Sequence, residues 1–111
     1  MFLLGVMHDI GYEFVEHVAD HAYVGGEILK QSNYQYWQEI SQHGNIAVEN
    51  MSDELFILNC ADMTTGPNGE DFTFEERIEE IANCCEYSSM PHKKCITEVK
   101  RLKKDKRFLL M

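Results

Sequence analysis

A His-Asp dipeptide, His8-Asp9, follows a short apolar run and stands just before Gly11. Downstream come His21, His43 and Asp62. Imidazole nitrogen and carboxylate oxygen are the donors that Zn, Mn, Fe and Ni take, and carboxylate also suits Mg. These five residues fall within the first 62, spread over several predicted helices and loops. They are expected to converge on one or two divalent ions and to activate water as the nucleophile of a hydrolase.

Elements that can position such a set are helical. No stretch alternates cleanly over five residues, whereas long apolar periodicities are flanked by turn dipeptides. The pattern predicts helices from Met1 to about Asp9, from a cap at Asp20 to about Gln31, and from Tyr34 to His43. Ser52 opens a fourth, with Leu55, Ile57, Leu58 and Ala61 marking it as central and buried. Gly66-Pro67-Asn68-Gly69 is a turn, and Thr73 with Glu76 is a capping box that starts a helix to about Cys85. Pro91 suits the first turn of a last, basic helix, about 91–107. The expectation is an all-α, single-domain bundle of about six helices over 1–111, with its ligand-bearing core in about 1–85. Four of the five candidates then sit at helix termini, from which side chains reach one cleft without breaking the apolar faces. Asp62 is the most telling, because an unpaired carboxylate in the apolar run Leu55 to Met63 is costly. His17 and His92 fit no such frame and read as surface residues.

Bulk properties narrow the function. The chain has 111 residues, 44% of them hydrophobic, and a net charge of −9, which fits one folded domain. Eight of its ten Lys and Arg lie in 91–111 (Lys93, Lys94, Lys100, Arg101, Lys103, Lys104, Lys106, Arg107), leaving only Lys30 and Arg77 in the acidic remainder. An acidic body argues against broad nucleic-acid binding. The basic helix reads as a solvated face that pairs with the body. The apolar stretch near Met1 is too short for a membrane span and lacks the features of a secretory leader. Cys60, Cys84, Cys85 and Cys95 lack zinc-knuckle spacing and are expected as reduced thiols of a cytoplasmic protein.

The run Leu3-Leu4-Gly5-Val6-Met7-His8-Asp9-Ile10-Gly11 resembles the signature of the HD-domain metal-dependent phosphohydrolase superfamily. The segment from His21 through Gly25-Gly26 to Leu29 is similar to its second histidine helix, and His43 and Asp62 fall where that family has its further His and closing Asp. The resemblance covers about residues 1–85. It implies an all-helical bundle that hydrolyses a nucleotide or another small phosphoester. His8, Asp9 and Asp62 would hold the catalytic ion, and His21 and His43 a second ion or the substrate phosphate. Asp9, His21 and His43 form the implied catalytic set.

Three departures from the family pattern accompany it. The family's site begins with a histidine on a helix upstream of the His-Asp pair, for which the seven residues before His8 leave no room. Tyr12 stands where a lysine is common, and Gly44 follows His43 in place of a second histidine or an acid. The alternative expectation is therefore a degenerate scaffold that binds a nucleotide or protein without turnover. A missing upstream helix would leave Phe2, Leu3 and Val6 as an apolar face for homodimerisation.

Overall fold

The structure, a computed structural model, describes Asp9 and residues 21–110. Among these are five α-helices: α1 (His21–Gln31), α2 (Trp37–Gln42), α3 (Asp53–Asp62), α4 (Phe74–Cys85) and α5 (Met90–Lys104). A 3-10 turn over Lys106–Leu110 follows. No strand occurs among the described residues; a single antiparallel bridge joins Thr65 to Asp71 across the Gly66-Pro67-Asn68-Gly69 turn. The expected helix over Met1–Asp9 lies outside the described residues, Asp9 excepted, as do His8, Tyr12, His17 and the apolar face at Phe2, Leu3 and Val6. The contacts group into two units, Met1–Leu58 and Asn59–Met111.

In the first unit, α1 stops in a Schellman motif. Asn33 adopts the left-handed conformation at φ 58°, its N–H donates to the Lys30 carbonyl, and the Tyr34 N–H donates to the Leu29 carbonyl at 2.9 Å. Tyr34 then packs over Leu29, which forms a buried cluster with Ile40 and Leu58, flanked by Tyr36 and Trp37. This turn delays the next helix, so α2 begins at Trp37 and not at Tyr34 as expected. Ser52 caps α3 by accepting from the Leu55 N–H at 3.1 Å.

The buried face of α3 is shifted from the one expected. Leu55, Phe56, Leu58, Asn59 and Cys60 are buried, whereas Ile57 is 50% exposed and Ala61 is exposed. The run is apolar almost all round, so composition did not mark which stripe faces inward.

In the second unit, the capping box forms as read: Thr73 accepts from the Glu76 N–H, and the Glu76 carboxylate accepts from the Thr73 N–H. Ser89 caps α5, with Pro91 in its first turn. The helix ends at Lys104, short of Arg107, because Asp105 takes an extended conformation and accepts hydrogen bonds from the Arg107 backbone and guanidinium. Cys95, Val99, Leu102, Phe74 and Ala82 are buried, and the Phe74 ring lies 5.9 Å from that of Phe108. All four cysteines are free thiols, as expected. No helix among the described residues is long and apolar enough to cross a membrane.

Candidate metal centre

The geometry of the first unit starts at two glycines. Gly25 and Gly26 are buried inside α1, where glycine costs about 1 kcal/mol relative to alanine. What the pair provides is proximity. A Cβ on Gly26 would sit 2.5 Å from the Ser41 Cβ and 2.8 Å from its Cα, so α1 and α2 meet where a side chain is absent. That approach places His21, the first residue of α1, beside His43, the C-cap of α2.

His43 is held twice. Its backbone N–H donates to the Ile40 carbonyl at 3.4 Å, and its Nδ1 lies 2.6 Å from the same oxygen. A carbonyl only accepts, so Nδ1 carries the proton and the Nε2 lone pair is left for a ligand. The His43 Nε2 stands 2.9 Å from the His21 Nε2, with the rings edge-to-face. Asp9 completes the group: its Oδ1 is 3.4 Å from His21 Nε2 and 3.7 Å from His43 Nε2. The side chains grade from enclosed to open, with His43 1%, His21 18% and Asp9 46% exposed.

The donor set fits a first-row divalent ion. Edges of 2.9, 3.4 and 3.7 Å form a triangle. A point about 2 Å from all three donor atoms lies close to its plane, and that is the length of a Zn–N or Zn–O bond. Two imidazoles and a carboxylate are borderline donors, suited to Zn, Fe, Mn or Ni. The carbonyl on His43 Nδ1 is the outer contact that fixes a ligating imidazole. Asp9, His21 and His43 form the one group of three potential His, Cys, Asp or Glu ligands found among the described residues.

The group as described does not include the other two candidates. His8 lies outside the described residues. Asp62 ends α3 in the second unit, where its charge helps to raise the Glu98 carboxyl and the Cys95 thiol, both lifted chiefly by burial. His92, read as a surface residue, is partly buried and accepts from the Ser88 N–H at Nδ1. Sequence reasoning missed the Ile40 carbonyl and the Gly26–Ser41 approach. The costly Gly25-Gly26 pair inside a helix was the available signal for the second. Comparison with protein-family models, with curated proteins and with solved structures finds no match to this chain.

Proposed function

We propose that this chain is a metal-dependent phosphohydrolase of HD type, acting on a nucleotide or another small phosphoester. The observation that carries the reading is the convergence of Asp9, His21 and His43 on one point at metal-ligand distance. These three residues would hold a divalent ion, with His8, outside the described residues, as a further ligand the sequence nominates. Such an ion supplies Lewis-acid polarisation of a phosphoryl oxygen and a lowered pKa for water. His43, buried and tied to the Ile40 carbonyl, anchors the site, because its ring cannot turn without breaking the Nδ1 bond. His21 and Asp9, more open to solvent, face the side from which a phosphoester arrives.

The test is elemental analysis of the purified chain together with hydrolysis of a panel of nucleotides and phosphomonoesters. One equivalent of Mn, Fe, Ni or Zn is expected, with both metal and turnover lost in Asp9→Ala and His43→Ala. Undiminished hydrolysis in Asp9→Ala overturns the reading, as does a wild-type chain that takes up no metal; the latter result favours the scaffold without turnover. Two imidazoles and one carboxylate also make the ligand set of ferrous oxygenases. Iron content with oxygen uptake and no phosphate release would select that chemistry instead.

A further inference from the structure

The second unit separates its charges by helix. Residues 59–111 hold ten acids and nine bases, so this unit is nearly neutral although the chain carries −9. α4 carries Glu75, Glu76, Glu79 and Glu80 against Arg77, whereas α5 carries six bases against Glu98, which is buried. The two helices pack together, and Lys103 reaches Glu75 across the seam. Glu75 lies in the first turn of α4 and Lys103 in the last turn of α5, so the pair sets an antiparallel register.

Away from that seam each helix offers one sign of charge to solvent. At about 100° per residue, Met90, Lys93, Thr97, Lys100 and Lys104 share one stripe of α5, opposite the buried Cys95, Val99 and Leu102. All five are exposed, and among the described residues none of these three lysines makes an ion pair. On α4 the stripe opposite the buried Phe74 and Ala82 is an open groove, lined by Phe72, Glu76, Glu79, Glu80, Asn83 and Cys84. Its carboxylates meet Thr73, Tyr87 and Arg77, and a carboxylate accepts more than one bond.

We propose that this α4–α5 face is a self-complementary interface for a second copy of the chain, α4 of each copy lying on α5 of the other. A two-fold axis parallel to the helices gives that arrangement and closes it at a dimer. The same axis preserves height along the helices, so the register set by Glu75 and Lys103 carries across the interface. Lys104 then faces the partner's Glu76, Lys100 faces the partner's Glu79, and Lys93 faces the partner's Asn83, each to within about 3 Å along the axis. The other two-fold, which sets α4 on α4, opposes like charges. A nucleic acid or an anionic membrane would suit the lysine stripe but not the acidic groove beside it. The face measures about 20 Å by 20 Å, smaller than a standard interface, so the pairing is weak and salt-sensitive.

The experiment is sedimentation velocity of the whole chain at concentrations up to about 1 mM. A dimer is expected at low salt and a monomer in about 1 M salt, where the Debye length is about 3 Å. Lys93→Glu/Lys100→Glu and Glu79→Lys/Asn83→Lys should each be monomeric at low salt, with helicity retained by circular dichroism. The second variant adds three positive charges and moves the net charge from −9 to −6, so bulk repulsion does not explain its failure to pair. An equimolar mixture of the two variants should recover a 1:1 complex, because the new acids then face the new bases. A wild-type monomer at low salt, a dimer that survives high salt, a variant that pairs with itself like wild type, or a mixture that stays monomeric would each overturn the interface.

Discussion

One carbonyl decides the chemistry of His43. Because the Ile40 oxygen takes the Nδ1 proton, Nε2 is left as an acceptor, and at 2.9 Å it can accept only if His21 donates from its own Nε2. A metal ion reverses that arrangement, since both Nε2 lone pairs must then face it. Nitrogen NMR of the metal-free chain should therefore show His43 as the Nδ1–H tautomer and His21 as the Nε2–H tautomer. Adding Zn(II) should leave His43 unchanged and move the His21 proton to Nδ1; an unchanged His21 would argue against coordination. At this scale the sequence exposed the donors and hid their wiring. Asp9, His21 and His43 are recognisable by type, but a main-chain carbonyl has no letter of its own. Phe56 and Asn59 were missed for a different reason: in a run apolar on nearly every side, no stripe stands out as the buried one, and a buried polar residue looks like an interruption.

Helices were legible where their ends carry local chemistry. Thr73 with Glu76, Ser52 with its acidic first turn, and Pro91 after Ser89 each satisfy free N–H groups with neighbours in the chain, so no distant contact is needed to read them. Thr73→Ala should cost about 1 kcal/mol in urea unfolding, with Glu76→Gln costing less because it keeps an acceptor. The packing of α1 on α2 was not legible, because it depends on Gly26 meeting a residue fifteen positions away. Gly26→Val must push Ser41 back. The expected cost is about 1–3 kcal/mol of stability, together with weaker metal binding. Ser41→Gly in the Gly26→Val background should recover part of both, and a metal affinity untouched by Gly26→Val would show that the two helices do not set the site.

The whole molecule responds to pH through groups with opposite signs. Arg107 donates to the Asp105 carboxylate and holds it at about 2, below the unfolded value of about 3.9. That contribution is present above the unfolded value and is lost as pH falls through about 2. Burial raises Glu98, despite its pairing with Arg101. Its contribution is complete below the unfolded value of about 4.3 and is lost as pH rises through the folded one. Denaturant titrations at several pH values should show Asp105→Asn flattening the acid limb. Glu98→Gln should remove a decline in stability as pH rises above the unfolded value of about 4.3; curves parallel to wild type would refute either assignment. The charge split was plain in the sequence, and one base of the basic helix pairs with the acidic body as expected, Lys103 with Glu75, whereas Arg101 pairs with Glu98 inside the helix itself. What composition could not reveal is which carboxylate is buried.

The Gly26 contact also acts as a fulcrum. His21 lies five residues along α1 from it, an arm of about 7 Å, so a swing of about 10° between the helices carries the imidazole through about 1 Å. Metal–ligand distances hold to about 0.2 Å. The helix pair would thus act as a mechanical amplifier: a small tilt about Gly26 changes the spacing of His21 and His43, and an ion seated between them would clamp the angle at which the two helices cross.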